Sequence, residues 1–168
     1  ALLAGAPALA MIGLLVGFYF LNWIPPVPLS MKFGGMYHEV KRAGDHFELS
    51  YEKRWFQVWQ RSNTPVAADE PIYCFTAVFA PVTLKTTVYH HWYYRSDKSK
   101  PFSHADKIPL KIAGGREGGY RAYTFKQGLD VGDWRVDVET EDGRVIGRVP
   151  VHVEKRDDAS RSLTTIVY

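Results

Sequence analysis

The first 31 residues of this 168-residue chain contain no charged side chain; all 21 Lys and Arg and all 18 Asp and Glu follow from Lys32 onward. A stretch of that length without a charge is hard to keep in water, so the chain is built of two different materials. Ala1 to Ile24 reads ALLAGAPALAMIGLLVGFYFLNWI. As a helix it would rise roughly 36 Å at about 1.5 Å per residue, against a hydrocarbon core near ~30 Å. Phe18, Tyr19, Phe20 and Trp23 gather at its C-terminal end, where amphipathic rings favour the headgroup layer, and Pro25-Pro26 stop the helix. This predicts a transmembrane helix over residues 1–24 that anchors the chain in a lipid bilayer. A signal peptide is the rival reading, since Ala8-Leu9-Ala10 has a small-x-small pattern, but the longer apolar run, Met11 to Leu21, follows that site instead of preceding it.

The remaining residues suit one domain with its own core. Net charge is +3 and the basic residues are mixed with acids, so no stripe exists to meet a phosphate backbone and nucleic acid is not an expected partner. Cys74 is the single cysteine, which excludes an intramolecular disulfide and any zinc site needing several thiolates. Its flanks, Ile72-Tyr73-Cys74-Phe75-Thr76-Ala77-Val78-Phe79, read as a buried strand with the thiol in the core.

Beyond the helix, Pro25-Pro26-Val27-Pro28-Leu29 reads as an extended spacer. Period-two alternation then dominates. Phe47, Leu49 and Tyr51 alternate with His46, Glu48 and Ser50; Ile108, Leu110 and Ile112 with Lys107, Pro109 and Lys111; Trp134, Val136 and Val138 with Arg135, Asp137 and Glu139. Asp142-Gly143 joins the Trp134 strand to the run Val145–Val153 as a hairpin, because both residues tolerate positive φ. In that run Val145, Gly147, Val149, Val151 and Val153 share one face, and Pro150 on the other marks an edge strand or bulge. Trp55-Phe56-Gln57-Val58-Trp59 is ambiguous. Seven to nine short strands with regular turns predict a mainly β fold, an immunoglobulin-like β-sandwich preceded by one N-terminal transmembrane helix. The expected organisation is a helix over 1–24, a Pro-rich spacer and membrane-proximal β segment over 25–69, the sandwich over 70–156, and a C-terminal tail or edge strand over 157–168.

Several separated motifs resemble one family. Val88-Tyr89-His90-His91-Trp92-Tyr93-Tyr94, Gly114-Gly115-Arg116, Gly132-Asp133-Trp134-Arg135-Val136-Asp137-Val138 and Asp142-Gly143-Arg144-Val145-Ile146-Gly147-Arg148, in this order over about residues 70 to 155, are similar to the bacterial "domain of unknown function 2914" family. The resemblance implies a C-terminal β-domain following inner-membrane helices in Gram-negative bacteria, with the β-domain in the periplasm. It brings no catalytic residues with it.

The most chemical-looking segment runs from Val82 to Arg95. Its even positions, Val82 to Tyr94, include the aliphatics and predict a core face; Tyr89, His91, Tyr93 and Arg95 would form a row on the opposite face, about 6 to 7 Å apart. Tyr and Arg are common at binding hot spots. Equally, Tyr and Thr favour strands and could simply cover a neighbouring element. Arg116, in the loop Gly114–Gly119, is a further candidate for a carboxylate or head group; the loop lacks the Lys-Ser/Thr of a phosphate-binding loop and precedes a strand. His90 points inward beside Trp92 and reads as a buried histidine held by a backbone carbonyl. The carboxylates, Asp69-Glu70, Glu139-Glu141-Asp142 and Asp157-Asp158, read as solvated acids.

These features assign no enzyme activity, cofactor or metal. The expected role is a membrane-anchored, non-catalytic module that binds a protein of the bacterial envelope, or alternatively an envelope glycan, through Tyr89, His91, Tyr93, Arg95 and Arg116; a third class is a hydrolase whose residues the sequence does not locate.

Overall fold

A computed structural model describes residues 2–21, 29–52, 66–82, 84–96, 98, 101–115, 118–155 and 163–168. One helix, α1 (Leu2–Phe20), precedes eleven strands among the described residues: β1 (Ser30–Tyr37), β2 (Glu39–Ala43), β3 (His46–Glu52), β4 (Val66–Ala67), β5 (Ile72–Phe79), β6 (Lys85–Arg95), β7 (Ser103–Ala113), β8 (Tyr120–Lys126), β9 (Gly132–Thr140), β10 (Val145–Glu154) and β11 (Leu163–Val167). The fold is mainly β, as the alternation predicts. Eleven strands exceed the expected seven to nine, in part because β4 pairs for only two residues.

The strands form three sheets: β1-β5-β8, β4-β10-β9-β6-β7 and β11-β3-β2. The first faces the second across a core of Met36, Ile72, Cys74, Trp92, Trp134, Val136, Val149, Val151 and Val153. The third covers the other side of the first through Tyr37, Val40, Leu49 and Phe75. The β1-β5-β8 sheet is therefore the middle layer. That explains why Ile72 to Phe79 is apolar nearly throughout: Ile72, Cys74 and Val78 point into one core and Phe75 into the other. β1 belongs by sequence to the 25–69 stretch and by pairing to the sandwich, since Tyr37 lies opposite Tyr73 and Gly34 opposite Thr76 on β5. β11 is an edge strand of the third sheet, with Ile166 opposite Leu49.

The Asp142-Gly143 turn forms the β9–β10 hairpin. Gly143 sits at φ +79, a value an L side chain rarely adopts, and its N–H donates to Thr140 O at 3.0 Å. The bulge lies at Val145/Gly147, not at Pro150. One extra residue reverses the parity, so Ile146 packs inward while Val145, expected in the core, is exposed. Pro150 stands opposite Arg135 on β9. Among the described residues the only other neighbour of β10, the two-residue β4, pairs at Val153 and Glu154, so the absent N–H of Pro150 breaks no ladder there. At the start of β6 the expectation is also corrected: the strand begins at Lys85, and Val82, placed in the core by parity, is 80% exposed on a turn.

The helix ends at Phe20, one turn before the expected boundary at residue 24, with Leu21 N–H closing on Gly17 O at 2.9 Å. Among the described residues no helix is long and apolar enough to cross a membrane, so the span expected over residues 1–24 is not carried by the fold as described. The Pro25–Pro28 spacer and the Trp55–Trp59 run lie outside the described residues.

Candidate functional site: the outer face of the five-stranded sheet

β6 is the second strand from one edge of the five-stranded sheet, with β9 on one side and β7 on the other. Its period-two alternation sends Val88, His90 and Trp92 into the core, all fully buried. Tyr89, His91, Tyr93 and Arg95 point outward as expected, and each is half-buried. On β9 their register partners are Glu139, Asp137, Arg135 and Asp133; on β7, Tyr89, His91 and Tyr93 face Pro109, Lys107 and His104. The structure thus keeps the row together but does not leave it as a set of separate rings. The His91 and Tyr93 rings lie 4.1 Å apart, well inside the 6 to 7 Å expected along a strand.

Those β9 partners supply a ladder of charge. Glu139 Oε1 lies 2.9 Å from His91 Nδ1 and 3.4 Å from the Tyr93 hydroxyl, and Lys107 Nζ is 3.0 Å from Oε2. Burial pushes the Glu139 carboxyl up, but the hydrogen bonds from Lys107 and His91 outweigh it and hold the group below the usual range. An ionised carboxylate only accepts, so His91 Nδ1 carries its hydrogen toward Glu139. The Tyr93 hydroxyl then donates to Glu139 as well, with its oxygen 2.9 Å from Nδ1. Burial, followed by the negative charges of Glu139 and Asp137, raises the Tyr93 phenol above its ordinary value. Among the described residues His91 Nε2 is left buried with no hydrogen-bond partner.

Further along β9, Asp137 accepts from Arg148 Nε at 2.7 Å and Nη2 at 3.0 Å. Asp133 accepts from Arg95 Nε at 3.2 Å and Nη2 at 2.5 Å, and lies 2.8 Å from His152 Nδ1. The hydrogen bonds from Arg95 and then His152 keep the Asp133 carboxyl below its usual range. The aromatic rings carry cations on their faces: Lys107 over Tyr89 at 4.7 Å, Arg135 over Tyr93 at 4.9 Å, and both Arg95 and Arg135 over Phe102 at 4.6 and 4.3 Å. At the Arg95 end, Phe102, Arg135, Arg148, Pro150 and His152 line an open groove of about 420 Å³.

Sequence reasoning treats Glu139 as a solvated acid, whereas it is buried and triply bonded. The signal for the rest of the ladder is present in the parity: Asp133, Arg135, Asp137 and Glu139 share one face, and the Asp142-Gly143 hairpin brings Arg148 opposite Asp137. Phe102 carries no such signal, because it precedes β7. Arg116 lies outside the described residues.

His90 is buried, but its partners are two threonine hydroxyls and not a backbone carbonyl. Nε2 is 2.8 Å from Thr76 Oγ1 and Nδ1 is 2.9 Å from Thr124 Oγ1, which also accepts from Trp92 Nε1 at 3.2 Å. In the neutral ring one threonine hydroxyl accepts from the protonated nitrogen and the other donates to the bare one. Burial pushes the imidazole down to about 4, so it is neutral at pH 7. This cluster joins the middle sheet to the five-stranded sheet. Among the described residues no group of three or more His, Cys, Asp or Glu is placed to hold a metal ion.

Residues 85–153 match the model of a family described as a protein of unknown function, DUF2914. This is the family whose motifs the sequence resembles, and the match spans β6 to β9 and nearly all of β10, hence most of the outer face. No curated protein matches the chain. Among solved structures, an immunoglobulin-like protein from Pseudomonas aeruginosa is similar at 12% identity over 77% of this chain and 99% of that one, with a TM-score of 0.41.

Proposed function

We propose that this chain is a membrane-tethered, non-catalytic recognition module of the bacterial envelope, an immunoglobulin-like sandwich whose outer five-stranded face binds a protein partner. The observation that carries the choice of partner is the capping of ring faces by cations. Lys107, Arg135 and Arg95 lie over Tyr89, Tyr93 and Phe102. A glycan module needs open aromatic faces on which sugar rings stack. A protein-binding face instead gains from side chains held in place before contact, since less rotamer entropy is lost on binding, and from Tyr and Arg at its centre.

The anchor reading rests on residues 1–31, which carry no charge, and on α1, where Leu9, Met11, Ile12, Leu14, Leu15 and Phe20 are all exposed. These positions fall on every side of the helix, so no polar face would meet water. The periplasm follows from the family's resemblance.

Photo-crosslinking in intact cells tests the recognition reading. A crosslinker at Lys107 or Arg148, on the outer face, should trap a discrete protein, and the adduct should weaken when Tyr89 and Tyr93 are changed to Ala. A crosslinker at Lys41, on the third sheet, should not trap it. Equal trapping from both faces, or none from the outer face, overturns the reading. Alkaline extraction tests the anchor: the chain should stay with the membrane and be released when Leu9, Ile12 and Leu15 become Gln.

A further inference from the structure

The groove at the Arg95 end is lined by three arginines, which pair unequally with two acids. Asp133 is engaged by Arg95 and His152, and Asp137 by both donors of Arg148. Arg135 is the least engaged. Its Nε forms an ion pair with Asp137 Oδ1 at 3.3 Å without the alignment of a hydrogen bond, and that nitrogen is buried with no hydrogen-bond partner among the described residues. Its guanidinium is flanked by Tyr93 and Phe102, so two rings hold it in place. Arg135 itself lines the groove.

We propose that Arg135 is the anchor for a carboxylate, supplied by an acidic side chain of the protein partner. A planar guanidinium offers two parallel donors that match the two oxygens of a carboxylate. A site held rigid before binding loses little entropy when it takes one. Pro150, exposed on the groove wall, gives an apolar surface for the residues beside that acid. An acidic sugar would bring the same charge but would also need a ring face, and those of Tyr93 and Phe102 carry the guanidinium. This inference rests on the recognition reading for the identity of the partner, while the site itself can be tested without one.

The test follows the backbone amide resonances of Arg148, Val151 and His152, which line the groove, in the full chain in detergent micelles during titration with three probes. These are N-acetyl-glutamate methylamide for an internal acid, N-acetyl-leucine for a free chain terminus, and galacturonate for an acidic sugar. The glutamate derivative should give a saturable shift, weakened roughly ten-fold or more in Arg135→Gln and in Arg135→Lys, which keeps the charge and loses the fork. Arg144→Gln, on the exposed hairpin, should bind as the wild type does. The two Arg135 variants are first checked for an unchanged melting curve; if both unfold, Phe102→Leu, which removes one flanking ring, should weaken the same shift. A non-saturable shift, one unchanged in the Arg135 variants, or tighter binding of N-acetyl-leucine or galacturonate overturns the proposal. If crosslinking still finds a partner while no probe shifts these resonances, this inference falls and the recognition reading stands; a probe that binds where no partner is trapped gives the converse.

Discussion

Asp137 and Arg148 are joined by two parallel hydrogen bonds, 2.7 and 3.0 Å long, across the β9–β10 pair. The two members are unequally placed. The Asp137 side chain is 3% exposed and that of Arg148 is 52% exposed. Asp137 in turn raises the Arg148 guanidinium further above its ordinary value. The pair thus fixes a buried negative charge at the centre of the outer face, beside the groove.

That asymmetry predicts unequal costs. Removing Arg148 leaves a buried carboxylate with only the poorly aligned Arg135 nearby, whereas neutralising Asp137 leaves a guanidinium that water can reach. Arg148→Ala should lower the unfolding free energy by about 1–3 kcal/mol, and Asp137→Asn by less. Urea unfolding of both variants and of the double variant measures this; a double-mutant coupling near zero would show that the two hydrogen bonds contribute nothing.

His90 sets a pH dependence with a definite window. Its folded-state value is pushed down to about 4 by burial, against about 6.5 in the unfolded chain. Between these values the unfolded state binds a proton that the folded state refuses, so stability is full above about pH 6.5 and is lost as pH falls. The loss is about 1.4 kcal/mol per pH unit, or about 3 kcal/mol by pH 4. Glu139, held below its usual range, contributes only at lower pH, where unfolded carboxylates begin to protonate. Chemical denaturation from pH 7 to 4 should therefore show a decline that starts near 6.5. If His90 titrates near 6.5 in the folded protein by imidazole NMR, the cluster with Thr76 and Thr124 is not closed to water.

The inward half of β6 and β9 was legible because burial writes a period-two pattern: Val88 and Trp92, then Trp134, Val136 and Val138, are the core. The outward half was legible as a row but not as a network. Alternation reports which face a residue takes and says nothing of its register partners, so Glu139 read as solvated although Lys107 and His91 close over it. The strand from Phe47 to Tyr51 in the third sheet was legible from its alternation, but its place over the middle layer was not, for a related reason. A middle-layer strand such as β5 is apolar on both sides, which the sequence expresses as one buried run, Ile72 to Phe79, without showing that a second core lies behind Phe75. At Val145 a single bulged residue was enough to invert the expected face.

Cys74 should serve as a silent reporter of opening. It is fully buried in the core between the two facing sheets, and burial raises its thiol well above the ordinary value, so little thiolate exists to react. A maleimide should label it only as fast as the sandwich opens. Adding urea below the unfolding midpoint should speed labelling in step with the loss of stability. Rapid labelling of the native protein would place Cys74 in contact with solvent and break the description of this core.

Gly132 offers the sharpest test of how the outer face is held. It opens β9 at φ +142, and a Cβ there would lie 2.5 Å from the backbone oxygen of Arg95. Both the backbone conformation and the contact are closed to an L side chain, and the neighbouring atom is main chain that cannot swing away. The consequence reaches the site, because Gly132 precedes Asp133, the acid that Arg95 and His152 grip. Gly132→Ala should cost about 1–3 kcal/mol from strain and separate β6 from β9 at the groove end. The Asp133 carboxyl, held low by Arg95 and His152, should then rise toward its ordinary value in a carboxyl NMR titration. Asp133→Asn, which keeps the backbone, should loosen Arg95 without the strain cost. Equal stability for Gly132→Ala and the wild type would mean that the strand start is not pinned as the close approach requires.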